Sequence, residues 1–449
     1  MFSKLAWNAY INVKGLRRQW RELDRFQLLD PAAARQVMGR HLLEQLHYFA
    51  ARDDALPEWR EAASVRNPED LWRIWPSLPV LTKRDLQIRF RPQEMRSRFR
   101  LEGWVGSTGG STGEPTRFFH DRAMLQNNVA TRAYCRLKLG WRPGMPTVIV
   151  WGSERDVGRH SSRRQRLSAT FRNDHLVDGY EMTDRTVERV LSLIDRHRPV
   201  AMQGFTSLLE FVARQTLRRG DVPPPGSVRT AWNGGEMLFE TQSELFSRAF
   251  GVPILNLYGG RELSPMAYQT APGLPLHVLR PFLFVEILDD RGRPVGPGET
   301  GRLVWTSTVC RGTPFLRYDI GDLGTYDEHT FDESGVRAIA SLQGRYAGLL
   351  TLANGKTINN LFWNHLFKDF PEVEHFQVAL KGDTDVEIRL TGSGFEGPRE
   401  GELRRILHGF LGAIPVTIRW TDRIPLTGQG KLVQTVCEPA PARPLRTEP

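Results

Sequence analysis

Residues 199–216 read PVAMQGFTSLLEFVARQT, and this stretch decides the fold. Its first seven residues form an apolar run that predicts a buried strand, and the following residues place Leu208, Leu209 and Val212 on one face of a predicted helix. The same order of strand and helix recurs on both sides, in PTVIVWG (146–152), TVERVLSLIDRH (186–197), VRTAWNGGEML (228–238), ETQSELFSRAFG (240–251) and PILNLYGG (253–260). The alternation predicts parallel βαβ units and an α/β fold, in which ligands gather at the carboxyl ends of the strands.

The remaining sequence predicts how the chain is organised around this region. Residues 1–100 show helical patterns and form the N-terminal part of a large domain, whose core is residues 101–343 with mixed or parallel sheets. From about residue 282 the helical patterns stop, which predicts a β-rich subdomain. Residues 344–436 fit a small α+β domain, and the proline-rich residues 437–449 predict a disordered tail.

Composition excludes several classes of protein. The chain has 449 residues, 40% hydrophobic and 25% charged, which is the balance of an ordinary globular protein. No run of about 18 apolar residues could span a bilayer, and the start of the chain lacks the apolar core of a secretory signal. Three cysteines without a short spacing cannot form a disulfide framework or a zinc site. We therefore expect a cytoplasmic protein without a membrane span.

The net charge of +10 raises the question of a nucleic-acid partner. The basic residues are scattered, with one concentration at 159–166, and they match no nucleic-acid-binding motif. A positive balance also suits an enzyme that attracts phosphorylated substrates. We expect small-molecule ligands and no nucleic acid, with a basic surface-binding protein as the alternative.

The strongest local signal is GSTGGSTGEP at residues 106–115. Its backbone N–H groups and hydroxyls could surround a phosphate, whereas the plainer interpretation is a flexible linker. GGSTG also matches the G-x-S-x-G motif of hydrolases, which would make Ser111 a nucleophile. That motif requires a strand before the serine and a helix after it, but TRFFH (116–120) predicts a strand. A P-loop is excluded because no Gly-Lys-Ser/Thr closes the segment.

Acidic residues stand in glycine-containing turns. Glu236 and Glu262 each follow a predicted strand, where a carboxylate can bind Mg²⁺ or an amino group. Asp322 closes RYDIGD and could accept both hydroxyls of a ribose or pair with an arginine. Lys431 in GQGK is either solvated or catalytic, and the histidines lack the spacing of metal ligands.

Taken together, these motifs resemble the adenylate-forming superfamily, and within it the phenylacetate–CoA ligase type and its capsule-biosynthesis relatives. The resemblance runs from about residue 100 to 436 and rests on TGGSTGEP (108–115), NGGE (233–236), YGGRE (258–262), RYDIGDLG (317–324), GR (344–345) and PLTGQGK (425–431). It implies that residues 101–343 are the adenylate-forming core and that residues 344–436 are a mobile lid domain. Glu114 and Ala347 depart from the residues common at their positions in the family.

The resemblance also implies residue roles. It assigns the phosphates of ATP to Thr108, Gly109, Gly110, Ser111, Thr112 and Gly113, with Thr112 counted among the catalytic residues. It assigns the adenosine part to Gly234, Gly235, Glu236, Tyr258, Gly259, Asp322 and Arg345. Glu262 would hold Mg²⁺, and Lys431 would be the catalytic lysine carried by the lid domain.

The implied activity is ATP-dependent activation of a carboxylic acid as an acyl-adenylate, followed by transfer of the acyl group to the thiol of CoA. An amide ligase that transfers the acyl group to an amine is the alternative within this class. Trp151, Phe205 and Trp232 fall near predicted strand ends, and with Gly260 they are candidates for the acid pocket. Their aromatic character predicts an aryl or otherwise apolar acid.

Overall fold

The computed structural model describes residues 16–108, 116–151, 172–179, 183–332 and 334–345, together with shorter stretches beyond them (350–351, 357–358, 363, 366–367, 369–370, 372–381, 385–395, 398–412, 414–424 and 432–438). The chain divides into two compact units. The first comprises Met1–Leu342, and the second begins at Gln343.

Helices form most of residues 16–100. Their starts are set by side chains that accept hydrogen bonds from the first turn: Asp30 accepts from the Ala33 N–H, and Asn67 accepts from the Asp70 N–H. Thr82 opens a helix with a reciprocal capping box to Asp85. The helices of this region are α1 (Leu16–Gln27), α2 (Pro31–Ala50), α3 (Pro57–Ala62), α4 (Pro68–Ile74), α5 (Lys83–Arg89) and α6 (Met95–Arg98).

A parallel sheet of five strands occupies the middle of the first unit. Its strands are β3 (Thr147–Trp151), β4 (Asp174–Asp178), β5 (Val200–Gly204), β6 (Val228–Asn233) and β7 (Ile254–Leu255), in the spatial order β4-β3-β5-β6-β7. The helices α7 (Arg122–Lys138), α8 (Asp184–His197), α9 (Thr206–Arg219) and α10 (Glu240–Phe250) accompany it. Helices α9 and α10 end at Gly220 and Gly251, whose φ angles of 70° and 72° favour glycine.

The rest of the first unit is antiparallel. β1 (Gly103–Ser107) pairs with β2 (Arg117–Asp121) in a hairpin. One sheet has the order β16-β10-β9-β8, and another has the order β11-β12-β13-β17. Their strands are β8 (Leu257–Gly260), β9 (Ser264–Tyr268), β10 (Leu276–Val278), β11 (Leu283–Leu288), β12 (Gly301–Ser307), β13 (Tyr318–Thr325), β16 (Ala338–Ile339) and β17 (Ser341–Arg345), with the short pair β14 (Phe331–Asp332) and β15 (Gly335–Val336) alongside.

The second unit has its own sheet and core. Its short pair is β18 (Leu350–Thr351) with β19 (Thr357–Ile358), and its main sheet has the order β22-β21-β20-β23. The strands of that sheet are β20 (Val373–Lys381), β21 (Asp385–Gly392), β22 (Val416–Trp420) and β23 (Thr435–Glu438), accompanied by helix α11 (Arg399–Leu411). Leu403, Leu407 and Leu411 of α11 are buried against strand residues such as Val378 and Ile388.

The predicted fold class is confirmed, with one difference at the last predicted strand. Residues 253–260 form two strands in two sheets, β7 in the parallel sheet and β8 in an antiparallel one. The break is set by residues of other parts of the chain: the Leu257 N–H donates to the Asn233 side chain at 3.0 Å, and Asn256 bonds to Gln269 across the start of the β8–β9 pair. The chain therefore leaves the parallel sheet after Leu255. Within the described residues, no helix has the length and apolar character that crossing a bilayer requires.

Candidate active site

The glycine-rich segment leaves the hairpin of β1 and β2. Ser107 pairs with Arg117 at the end of the hairpin, the Thr108 N–H donates to the Thr116 carbonyl at 2.9 Å, and the Thr116 N–H donates to the Thr108 hydroxyl at 3.0 Å. Among the residues described on either side, the segment is therefore flanked by two strands, as predicted, instead of by the strand and helix of a hydrolase nucleophile. Residues 109–115, which include Gly109, Gly110, Ser111, Thr112 and Gly113, lie outside the described residues.

His120 of β2 connects this hairpin to the turn that carries Glu262. The His120 Nε2 lies 2.6 Å from the Glu262 carbonyl oxygen, and the Asn128 Nδ2 lies 3.3 Å from the His120 Nδ1. Because an amide nitrogen only donates, Nδ1 accepts and Nε2 carries the hydrogen that is donated to Glu262. Burial lowers the pKa of His120 to about 4, so the ring is neutral at pH 7.

Glu262 itself stands in the turn between β8 and β9. It is 5% exposed, and the Tyr318 hydroxyl donates to its Oε1 at 3.4 Å. Tyr318 opens β13, whose sequence continues through Asp319 to Asp322. The YGGRE and RYDIGDLG motifs, 50 residues and more apart in sequence, therefore meet at this carboxylate.

Asn233 joins the NGGE turn to the start of β8. Its Nδ2 donates to the Thr206 hydroxyl at 3.0 Å and to the Glu236 carbonyl at 3.0 Å, while its Oδ1 accepts from the Leu257 N–H. The side chain is fully buried. One amide thus fixes the distance between two motifs that the sequence separates by more than twenty residues.

Within the NGGE turn, the two glycines and the glutamate have different surroundings. The Gly234 N–H donates to the Gly204 carbonyl at 3.0 Å, and Gly235 has a φ of 77°. The Glu236 carboxylate accepts from the Ser207 N–H at 2.8 Å and from the Ser207 hydroxyl at 3.1 Å. Because Ser207 lies in the first turn of α9, the carboxylate also faces the positive end of the helix dipole. Glu236 therefore holds the NGGE turn against the start of α9, whichever ligand the turn binds.

Tyr258 and Asp322 form the other half of the candidate nucleotide site. The Tyr258 hydroxyl donates to the Asp322 Oδ2 at 2.7 Å, and both residues are half-buried. Two glycines make room beside them. A Cβ at Gly259 would lie 2.4 Å from the Ser264 carbonyl oxygen, and one at Gly260 would lie 3.1 Å from the Glu262 carboxylate. A side chain at Gly259 is therefore excluded by the backbone of β9.

The aromatic residues predicted to line the acid pocket differ in their burial and in their contacts. Trp151 is half-buried and packs on the buried Phe205 with ring centroids 4.0 Å apart. A Cβ at Gly234 would lie 3.4 Å from the Trp151 ring, so Trp151 borders the NGGE turn. Trp232 is fully buried in the main core, and its Nε1 has no hydrogen-bond partner within the part of the chain described here. The structure brings Trp151 and Phe205 together but gives Trp232 no open face.

Two predicted residues of the second unit cannot be placed. Lys431 lies outside the described residues, and Arg345 ends β17 without a described side chain. The basic residues at 159–166 and the hinge position Ala347 also lie outside the described residues. Their roles stay predictions from the resemblance.

Three residues of the site were not predicted from the sequence. Asn233 and Tyr318 stand inside motifs that the sequence identifies, so their positions could have been found from the motif boundaries. His120 gave no signal, because its partner Glu262 is 142 residues away along the chain.

The described residues fit an adenine nucleotide. Tyr258 supplies an aromatic ring beside a carboxylate, Asp322, which can accept hydrogen bonds from sugar hydroxyls. For a metal, the described residues contain no group of three or more His, Cys, Asp or Glu side chains that could bind an ion alone. A single carboxylate such as Glu262 suits Mg²⁺, which keeps several waters and binds through one or two carboxylates plus substrate phosphates.

Comparison with known proteins points to the class that the motifs predicted. A family model described as "AMP-binding enzyme" matches residues 175–312, which span most of the parallel sheet and the NGGE and YGGRE motifs. The chain is 26% identical to the phenylacetate–coenzyme A ligase of Thermus thermophilus over 334 residues, which is 70% of this chain and 70% of the relative. It is 23% identical to the phenylacetate–coenzyme A ligase of Pseudomonas putida over 426 residues, which is 86% of this chain and 91% of the relative.

The fold has a close counterpart among solved structures. The crystal structure of 2-hydroxyisobutyryl-CoA ligase in the postadenylation state matches with a TM-score of 0.69 and 16% sequence identity, covering 91% of this chain and 90% of that chain. The family model and the two curated relatives confirm the predicted resemblance to adenylate-forming enzymes of the phenylacetate–CoA ligase type.

Proposed function

We propose that this protein is an AMP-forming acid–thiol ligase that activates a carboxylic acid with ATP and transfers the acyl group to CoA. The observation that carries the proposal is the convergence of three separate motifs: Asn233 ties NGGE to β8, Tyr258 bonds to Asp322, and Tyr318 bonds to Glu262. The similarity to phenylacetate–coenzyme A ligases supports it.

The first step would join the acid to the nucleotide. A carboxylate oxygen of the acid attacks the α-phosphorus of ATP, an O–P bond forms, and the bond to pyrophosphate breaks. Two anions must approach each other, so the protein has to hold them in line and supply fixed donors. Tyr258 and Asp322 would hold the adenosine part, while the segment that starts at Thr108 would hold the departing pyrophosphate.

The second step would release AMP. The sulfur of CoA attacks the acyl carbon and its thiol proton is lost; a C–S bond forms, and the bond between the acyl carbon and the bridging phosphate oxygen breaks, so that AMP leaves with that oxygen. A solved relative of similar fold is described in complex with 2-HIB-AMP and CoA in the thioesterification state, which supports a thiol as the acceptor. An amine acceptor would give an amide by the same bond changes.

Mg²⁺ bound at Glu262 would neutralise the phosphates during the first step. Glu262→Gln keeps the size and the Tyr318 hydrogen bond but removes the charge, so the Mg²⁺ concentration for half-maximal activity should rise several-fold. A Mg²⁺ titration of initial rates measures this. Glu299→Gln, at a carboxylate in an exposed turn of the β11–β12 connection, is the control. An unchanged titration in Glu262→Gln would remove Glu262 from the metal site.

The acid would be aryl or apolar, because the tilted Trp151 and Phe205 rings pack together beside Gly234. The test is a screen of pooled carboxylic acids, with pyrophosphate release measured with and without CoA. The proposal expects release that requires ATP and an apolar acid, and thioester formation when CoA is added. Release that needs an amine instead of CoA would indicate an amide ligase, and ester cleavage without ATP would contradict the proposal.

A further inference from the structure

A cleft on the first unit lies apart from all the motifs discussed above. Its volume is about 490 Å³, and one side is formed by α1, which contributes Arg18, Arg21, Glu22 and Arg25. Arg18, Arg21 and Arg25 are three and four residues apart, so they lie on one face of the helix, and Glu22 lies four residues after Arg18. We name this feature the arginine cleft.

The arginines of the cleft are not neutralised by neighbours. Arg18, Arg21 and Arg25 are exposed, and no acidic side chain of the described residues lies within ion-pair distance of them. Glu22 is the single carboxylate in the lining. Arg17, also exposed, adds a fourth charge to the same helix. The cleft is therefore a site of positive potential with open donors.

The remaining lining is apolar. Phe26 and Leu29 follow the arginines, and Val37 of α2 and Pro281 complete the cleft. Leu28 and Leu29, which directly follow α1, are 85% and 37% exposed. An anion alone would not require an apolar floor beside its charged rim. The lining suits a ligand with a phosphate at one end and hydrocarbon at the other.

Further basic residues lie next to Phe26 of the cleft and in the first 21 residues of the sequence. The guanidinium of Arg280 is 4.9 Å from the Phe26 ring, and Arg280 is 5% exposed with no described partner for its Nε. In the sequence, the first 21 residues contain Lys4, Lys14, Arg17, Arg18 and Arg21 and no acidic residue, together with aromatic residues such as Trp7 and Tyr10. Basic residues interleaved with aromatic and apolar ones are typical of segments that lie in a membrane interface.

We propose that the arginine cleft binds the headgroup of an anionic phospholipid, and that α1 with Leu28 and Leu29 docks the protein on a bilayer surface. The arginines would pair with lipid phosphates, and the leucines would enter the region between headgroups and acyl chains. The proposal does not depend on the activity proposed above. A nucleic acid would use the arginines but would leave the apolar lining without a role.

The test measures binding of the full-length protein to vesicles by co-sedimentation. Vesicles of phosphatidylcholine alone are compared with vesicles that also contain phosphatidylglycerol. Each basic residue near an anionic surface contributes about 1 kcal/mol, so the triple variant R18Q/R21Q/R25Q should bind the anionic vesicles about 100-fold more weakly. The control is R185Q/R189Q/R196Q, which removes the same charge from exposed positions of α8 and should leave binding unchanged.

Further measurements separate the alternatives. Circular dichroism and acid-dependent pyrophosphate release should be the same in both triple variants and the parent protein. L28S/L29S should weaken vesicle binding while leaving any binding of inorganic phosphate unchanged. Equal binding to both kinds of vesicle, an equal loss in the α8 variant, or arginine-dependent binding to duplex DNA but not to anionic vesicles would overturn the proposal.

Discussion

At the scale of single residues, His120 links stability to pH. Its folded pKa of about 4 lies below the ordinary value of 6.5, so the unfolded chain binds more protons between these values. Above about pH 6.5 the neutral ring makes its full contribution, on the order of 3 kcal/mol, to the free energy of unfolding. This contribution is lost as the pH falls toward 4. His120→Gln should flatten this part of the curve of unfolding free energy against pH. Denaturant unfolding at several pH values measures the curve, with His329→Gln at an exposed histidine as the control. A slope in His120→Gln that equals the slope of the parent protein would contradict the assignment.

Tyr258 allows a second test at this scale. Tyr258→Phe keeps the ring but removes the hydroxyl that donates to Asp322 at 2.7 Å, so the carboxylate is less firmly oriented. We expect the KM for ATP to rise about tenfold, equivalent to a typical hydrogen bond to a charged group, with little change in kcat. Steady-state kinetics with varied ATP measures both constants. Tyr134→Phe removes an equivalent bond, to Asp24 at 2.8 Å, outside the candidate site and should leave the KM unchanged. If both variants behave alike, Tyr258 has no special part in nucleotide binding.

At the scale of elements, a buried ion pair connects the N-terminal helices to the antiparallel sheet. Arg317 donates to both oxygens of Glu286 on β11 at 3.0 Å, and it also donates to the carbonyls of Pro76 and Leu78. Both charges are shielded from water, with side-chain exposures of 1% and 11%. The contact therefore fixes the segment after α4 against β11 and β13.

Removing one partner of this pair should destabilise the protein strongly. Arg317→Met leaves the Glu286 carboxylate buried without its cation, which should cost about 3–5 kcal/mol of unfolding free energy. The double variant Arg317→Met/Glu286→Gln removes both charges and keeps an acceptor for the Trp75 N–H, so it should recover part of the loss. Chemical denaturation compares the two. A double variant less stable than Arg317→Met would show that the charges do not act as a pair.

The sequence predicted elements better than the contacts between them. The spacing of apolar residues predicted helices such as α8 and α9, because a helix with one buried face places apolar residues on that face in every turn. It missed the break between β7 and β8, since that break depends on the Asn233 side chain, which belongs to another strand. The motifs located Glu262 and Asp322, but the bonds of these residues to Tyr318, His120 and Tyr258 depend on tertiary packing and have no local pattern.

At the scale of the whole molecule, most residues predicted to bind the nucleotide belong to the first unit, whereas the predicted catalytic lysine belongs to the second. The described residues of the candidate nucleotide site, from Thr108 to Asp322, all belong to the first unit. Lys431, which the resemblance assigns to catalysis, comes from the C-terminal part of the chain. Binding and catalysis should therefore respond separately to substitution.

Lys431→Ala should abolish acid-dependent exchange of pyrophosphate into ATP, because the cation that stabilises the developing charge is gone. ATP binding, measured by calorimetry, should change little. Lys381→Ala is the control, since it removes a lysine of the second unit that pairs with Glu438. Full exchange in Lys431→Ala would exclude this lysine from the mechanism, and a loss of ATP binding in the same variant would assign it to nucleotide affinity.

The buried Asn233 limits how this protein can be redesigned. Its amide gives hydrogens to Thr206 and to the Glu236 carbonyl and takes one from Leu257. Aspartate offers no hydrogen to give, and leucine can do neither. Trp151, at the half-buried edge of the same turn, packs on the Phe205 ring. Libraries that test the proposed acid pocket should therefore vary Trp151 together with Phe205, whereas position 233 should be left as asparagine in every member.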